Sequence, residues 1–399
     1  MRGKNFGRLV AATMAVGLLA AACGDSGTKA STTTAAKSGA AGGTGKAKCA
    51  AGTSIGFFGA LTGDAANLGL NEERGLELAV SEFNAANKDC QIKIEKFDSQ
   101  GDPKVAPNLA TSAIANKNVV AIIGPAFSGE SKAADPLFND AGMPLITPSA
   151  TNPALSTNKW SVFHRALGND ASQGPAAATY IKNTLKSASV AVVDDGSEYG
   201  KGLADIVKSS LGASVKVSDT VQAKQTDFSA TVTKIKAANL TATDAVFYGG
   251  YYQEAGLLAK QLADAGVKAV FVAGDGVKDD GFIKAAGAAA EGAVFTCPCA
   301  PLSAIKDGAG FTARFKKLFP DGDPEGTYSA ETYDASNFLL AAIGAGKVTR
   351  ADINTYISTQ SWEGLTKTLK FDATGEVSGV TIYSSTVKGG KIVAGGAIK

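Results

Sequence analysis

Histidine is nearly absent: the 399-residue chain contains one, His164. A single imidazole goes little way towards a zinc site, which needs four ligands. It also leaves a hydrolase with one candidate base. Gly52-Thr53-Ser54-Ile55-Gly56 has Gly-x-Ser-x-Gly spacing, but it runs into an expected strand and not a strand-to-helix elbow, and there is no Walker loop, so neither an activated serine nor a phosphate cradle is signalled. Asp and Glu can do general acid–base work, but no pair stands out. A secreted hydrolase stays open only as a marginal alternative, and no cofactor or metal is called for. Excess positive charge is missing as well. The formal net charge is +2, from 39 Lys+Arg against 37 Asp+Glu. Without Arg2, Lys4 and Arg8 at the N-terminus, 36 bases face 37 acids. A near-neutral body has no cation surplus for a phosphate backbone, which argues against nucleic acid as a partner. Beyond the N-terminal segment, no run reaches the roughly 18 apolar residues of a membrane helix.

The N-terminus is the most informative stretch that is present. Arg2, Lys4 and Arg8 form a basic region, and Leu9 to Ala22 follows without charge. That stretch is too short for a resident membrane helix and reads as a signal. It ends in Leu19-Ala20-Ala21-Ala22-Cys23, then Gly24-Asp25-Ser26. Small residues before a cysteine resemble a lipobox, which implies a signal peptide over 1–22 and a diacylated Cys23 as the mature N-terminus. The rival is a plain secretory signal with a chance cysteine. Two acyl chains anchor a protein stably, so the expected location is the extracytoplasmic face of the cell membrane, held by lipid alone. Residues 23–48, rich in Ser, Thr, Gly and Ala, read as a flexible tether with a reach of roughly 25–30 Å.

The body from residue 49 onwards, roughly 350 residues, exceeds one comfortable core and predicts two lobes. With Cys23 assigned to lipid, four of the five cysteines remain for an oxidising compartment. Cys49 precedes the first expected strand and Cys90 the second. If these strands are parallel neighbours, both cysteines lie at one sheet edge and can bridge. Cys297-Pro298-Cys299 is either a tight disulfide or a metal or redox motif.

Apolar runs alternate with amphipathic ones. Strands are expected at Ser54 to Gly59, Gln91 to Asp98, Val119 to Gly124 and Leu145 to Thr147, with helices at Leu70 to Asn84, from Pro103 behind an Asp102 cap, and at Gly129 to Ala141. The rhythm restarts at Asp170 and continues to Val272. Such alternation means parallel sheets with right-handed crossovers. The expected fold is α/β, two doubly wound parallel-sheet lobes joined by three hinge crossings. Lobe 1 takes 49–169 plus 300–378, and lobe 2 takes 170–299 plus 379–399. Helices at Ala309 to Leu318 and Ser329 to Ala345, and strands at Leu369 to Phe371 and Thr381 to Val387 around a turn at Asp372 to Gly375, make up the mixed tail.

Ligands of doubly wound sheets bind at the carboxyl ends of the strands. After Ile123 comes Gly124-Pro125-Ala126-Phe127-Ser128-Gly129, and after Ile146 comes Thr147-Pro148-Ser149-Ala150-Thr151-Asn152-Pro153. These loops offer hydroxyls and backbone N–H groups without Lys or Arg, which suits a carboxylate better than a phosphate. The bland reading is that Ser128 and Thr151 only cap helices. The second half offers Glu198-Tyr199-Gly200, Gly249-Gly250-Tyr251-Tyr252 and Gly274-Asp275-Gly276. Asp275 is placed to accept from an ammonium between walls made by Tyr199 and Tyr251; an ordinary Asp-Gly turn is the alternative. An anion-accepting lobe facing a cation-accepting lobe is what a zwitterion requires, since each buried charge must be paired.

These segments, with Gly59-Ala60-Leu61-Thr62-Gly63-Asp64, Ser172-Gln173-Gly174-Pro175, Asp227-Phe228-Ser229-Ala230 and above all Tyr248-Gly249-Gly250-Tyr251-Tyr252, resemble the type I periplasmic binding proteins, in particular the leucine/isoleucine/valine-binding group, over roughly residues 53–390. The resemblance implies a monomeric substrate-binding protein that delivers an amino acid to the permease subunits of an ABC importer, or a sensor module of the same fold. It carries the ligand carboxylate onto Ser128, the Ser149 main chain and Thr151, and the ammonium onto Asp275, one methylene shorter than the common glutamate. The family tyrosines fall on Tyr199, Tyr251 and Tyr328. Leu68 replaces a frequent aromatic residue and reshapes the side-chain pocket. The family disulfide has no counterpart here.

Overall fold

The computed structural model describes residues 45–399. The signal segment, Cys23 and the expected tether up to residue 44 lie outside the described residues. Ala47 is already buried and donates its N–H to Asn87 Oδ1 at 3.3 Å, so packing begins just ahead of Cys49.

The first unit runs β1 (Ser54–Gly59), α1 (Ala66–Ala86), β2 (Lys93–Asp98), α2 (Ala106–Ala115), β3 (Val119–Ile123), α3 (Ser128–Asp140), β4 (Leu145–Ile146) and a single turn, α4 (Ala154–Thr157). Its sheet is parallel in the order β2-β1-β3-β4. Strands β1 and β3 are buried at every position, as expected where helices cover both faces of a parallel sheet. The second unit runs α5 (Asp170–Thr179), which continues into one π-helical turn, then β5 (Val190–Asp194), α6 (Glu198–Leu211), β6 (Val215–Thr220), α7 (Ser229–Ala237), β7 (Ala245–Gly249), α8 (Tyr252–Asp264), β8 (Val270–Ala273), α9 (Asp280–Ala286) and β9 (Val294–Cys297). The tail adds α10 (Gly308–Leu318), α11 (Ser329–Gly344), α12 (Arg350–Thr359), β10 (Trp362–Glu363), β11 (Thr368–Leu369), β12 (Tyr383–Lys388) and β13 (Lys391–Ala397).

The tail serves both units. Phe338, Leu339 and Ile343 of α11 and Ile353 and Ile357 of α12 share one core with Phe57, Leu76, Phe83 and Ile123 of the first unit. Strand β12 pairs antiparallel with β9, and β13 with β12. The second sheet therefore reads β13-β12-β9-β8-β7-β5-β6. Its core gathers Val193, Tyr248, Phe271, Phe282, Phe295 and, from the tail, Val387. The molecule is an α/β protein of two parallel-sheet lobes.

Several local expectations change. Pro103 does not open α2: Asp102 Oδ1 accepts from the Lys104 N–H at 2.9 Å, which forms a turn, and the helix starts at Ala106 with Pro107 in its first turn. Helix α12 and strand β13 were not expected. The first buries only Ile353 and Ile357, too few to show a stripe. The second carries two glycines and is largely exposed, so alternation is erased and pairing with β12 holds it. Cys49 and Cys90 are bridged with Cα atoms 4.9 Å apart, at the shared edge of the parallel neighbours β1 and β2. Cys297 is bridged to Cys299 as β9 ends.

Candidate functional site

The carboxyl ends of the two sheets face each other across a closed cleft. The void left between them is tight, about 20 Å³, room for roughly one water molecule.

The first lobe supplies the turn from β3 to α3 and the loop after β4. Gly124 makes the turn at φ 114°, and a Cβ there would lie 2.3 Å from the Phe58 carbonyl oxygen, so only glycine fits. The loops are fastened to one another. The Thr147 hydroxyl donates to the Pro125 carbonyl at 2.8 Å and the Ser149 hydroxyl to the Ala126 carbonyl at 2.6 Å. Ser128 Oγ accepts from the Asn152 N–H at 3.2 Å. Ser128 and Ser149 line the cavity with Ala126 and Phe127. With the Ser149 hydroxyl engaged, its main chain is what it can offer a ligand. Thr151 is the one expected site residue that does not line the cavity. It is fully buried beside it, and its Oγ1 has no hydrogen-bond partner among the described residues.

The second lobe supplies Tyr199 on α6, Tyr251 between β7 and α8, and Asp275 after β8. Asp275 is 3% exposed. Its Oδ1 accepts from the Tyr199 hydroxyl at 2.8 Å and from Gln173 Nε2 at 2.6 Å, and its Oδ2 from the Tyr328 hydroxyl. Burial pushes the Asp275 carboxyl up, and the bonds from Tyr328, Gln173 and Tyr199 pull it back. The Gly276 N–H donates to the Tyr199 hydroxyl at 3.1 Å. This close approach needs glycine, because a Cβ would lie 2.9 Å from the Tyr199 ring. The rings of Tyr199 and Tyr251 are 5.4 Å apart, and Phe127 meets Tyr251 edge-on at 5.3 Å from the opposite lobe. Tyr328 leads into α11 in the left-handed conformation, φ 69°, and packs with Leu167, Cys297 and Cys299. Leu68 of α1 closes the apolar wall.

Polar bridges hold the lobes together at the rim. Asn152 Nδ2 donates to the Glu198 carbonyl at 2.7 Å, Lys132 pairs with Glu198 at 2.8 Å, and Asn67 Nδ2 donates to Asp279 Oδ1 at 2.7 Å.

Three site residues escaped the sequence. Glu72 lines the cavity from α1, 1% exposed, and its Oε2 has no hydrogen-bond partner among the described residues. Its place four residues after Leu68, hence on the same helix face, was the available signal. Asp170, the first residue of α5, is fully buried with neither carboxyl oxygen bonded. Burial first, then the Asp275 charge, push its carboxyl well up, while the neighbouring Thr151 side chain and the Arg165 charge pull it partly back. Gln173 stands within the Ser172-Gln173-Gly174-Pro175 segment but was not read as a ligand of Asp275. His164, by contrast, is 2% exposed and away from the cavity. It lies with Nδ1 by the Leu145 and Val162 carbonyls and its ring against Phe371, and burial lowers its pKa to about 4.

A family profile described as periplasmic binding protein matches residues 52–391. The Leu/Ile/Val-binding protein of Escherichia coli K12 is 32% identical over 335 residues, which cover 82% of this chain and 88% of that protein. The Leu/Ile/Val/Thr-binding protein of Salmonella typhimurium is 31% identical with the same coverage. Among solved structures, the branched-chain amino acid transporter substrate binding protein LivJ of Streptococcus pneumoniae in complex with isoleucine superposes with a TM-score of 0.80 at 29% identity, covering 87% of this chain and 99% of that one. The leucine binding protein LivK of Thermotoga maritima gives 0.78 at 26% identity, with 87% and 99% covered.

Proposed function

This chain belongs to the periplasmic binding proteins of the branched-chain amino acid group, a family of substrate-binding proteins and not of enzymes, and we propose that it captures a small zwitterionic amino acid between its lobes and delivers it to an ABC permease. The two-ended cavity carries the reading. At one end Asp275 is buried with three donors on its oxygens and no cation beside it. An ammonium supplies the missing charge, and without it the buried Asp275 carboxylate carries a desolvation cost of several kcal/mol. At the other end, the amides around Ser128 and Ser149, with the Ser128 hydroxyl and the unpartnered Thr151 hydroxyl, receive the α-carboxylate. Tyr199, Tyr251 and Tyr328 wall the ligand, and Leu68 meets its side chain. Only a ligand that bears both charges bridges the lobes, so closure reports its capture. The Leu68 and Asp275 departures leave the choice of side chain to the pocket described below.

The lipid anchor is part of the same proposal. Cys23 and its flanks support acylation at the extracytoplasmic face, with the body working as a monomer on its tether beside the permease. Calorimetry of the purified body against the proteinogenic amino acids tests the reading: saturable one-to-one binding of at least one is expected, and no binding by any sinks it.

A further inference from the structure

Resting on the reading of the cleft as an amino-acid site, we propose that Glu72 is a specificity-determining residue, selecting a ligand whose side chain carries a hydroxyl or amide over its purely aliphatic isostere. Glu72 and Leu68 lie one turn apart on the same face of α1 and line the cavity together. That wall is therefore half apolar and half acidic, unlike one built for a branched hydrocarbon.

The carboxyl is 1% exposed, and its Oε2 has no hydrogen-bond partner among the described residues. The groups that could serve it are engaged elsewhere. The Ser149 side chain lies within bonding reach of the carboxyl and eases the cost of its burial, but the one proton of its hydroxyl goes to the Ala126 carbonyl at 2.6 Å. The hydroxyls of Tyr199 and Tyr328 donate to Asp275. No Lys or Arg lines the cavity, and the other charged group facing Glu72 is Glu130 of α3, also an acid. Burial pushes the Glu72 carboxyl well above the usual carboxylate range, and the buried, unpartnered Oε2 is the acceptor it presents to a ligand. An aliphatic side chain leaves that acceptor buried and unpaired. A hydroxyl or amide N–H pairs it. Sites built around a buried polar group reject analogues that lack its partner far more strongly than apolar pockets reject an added hydroxyl.

The test is calorimetry on three near-isosteric pairs, threonine/valine, serine/alanine and glutamine/methionine, with the wild-type body, Glu72→Leu and Glu72→Gln. In at least one pair the polar member should bind the wild type about tenfold tighter than its partner. Glu72→Leu should erase or invert that ratio, and Glu72→Gln, which keeps a polar amide in place, should hold it within about threefold. An unchanged ratio in Glu72→Leu, or an aliphatic preference already in the wild type, overturns the proposal while leaving the amino-acid site intact. Binding of no amino acid removes the site itself, and this inference with it.

Discussion

The two ends of the cavity are built differently. The first-lobe end is fastened within its own lobe, through Thr147 to Pro125, Ser149 to Ala126 and Asn152 to Ser128. These three bonds lie within the first lobe, and only the Asn152 side chain also reaches across, to the Glu198 carbonyl at the rim. The second-lobe end is a composite. Gln173 and Tyr199 hold Asp275 from its own lobe, but Tyr328 reaches it from the segment that leads into α11, whose core belongs to the first lobe. One end is thus a preformed cradle of neutral dipoles. The other completes a charged site only as the chain crosses the hinge. Preformed dipoles orient a ligand, whereas a buried charge that is fully ligated only on closure makes closure depend on the ligand's own charge.

The largest way to break this comparison is at Asp275. Asp275→Ala leaves the ligand ammonium buried without its main partner and should cost about 2–5 kcal/mol of affinity, measured by calorimetry with whichever amino acid the wild type binds. A change under about threefold would move the ammonium elsewhere, with Asp170 the next residue to examine. Tyr328→Phe is the sharper probe. It deletes one hydroxyl donor to the carboxylate and leaves the ring, so a loss of about 1.5–3 kcal/mol is expected. Because that bond forms across the hinge, the loss should fall on the dissociation rate in stopped-flow fluorescence, with association nearly unchanged. An equal share in the association rate would mean that Tyr328 acts before closure, and the contrast between the two ends would not hold.

The fold and the site were legible in the sequence to different depths. The strands of both sheets announce themselves as short apolar runs such as Val119 to Ile123 and Val190 to Asp194, because parallel strands are buried on both faces. Strand β13 does not, since Lys391–Ala397 owes its conformation to its partner. Ser128, Ser149, Tyr199, Tyr251 and Asp275 follow from reading the residues after each strand, where this architecture opens its cleft. Glu72 and Asp170 do not follow from that rule. An acid in a helix ordinarily marks a solvated face, and Glu73, beside Glu72, pairs with Lys96 on β2. Only packing distinguishes the two neighbours. Asp170 stands in a helical first turn, a common place for an acid, and its burial comes from the way the hinge folds back on Thr151, whose carbonyl accepts the Asp170 N–H at 2.9 Å.

Ser128→Ala should have the smallest effect. The hydroxyl accepts from the buried Asn152 N–H, and the substitution strands that donor while leaving every backbone amide of the turn in place. A cradle whose affinity comes mainly from fixed main-chain dipoles loses one neutral hydrogen bond, about 0.5–1.5 kcal/mol. A lone stranded N–H costs a similar amount in stability, so urea unfolding of the ligand-free protein should register it too. The comparison between the two ends predicts that the affinity loss does not exceed the stability loss by more than about 1 kcal/mol. A much larger affinity loss would mean that the Ser128 hydroxyl itself holds the carboxylate, and that the first-lobe end, like the second, is completed only when the ligand is in place.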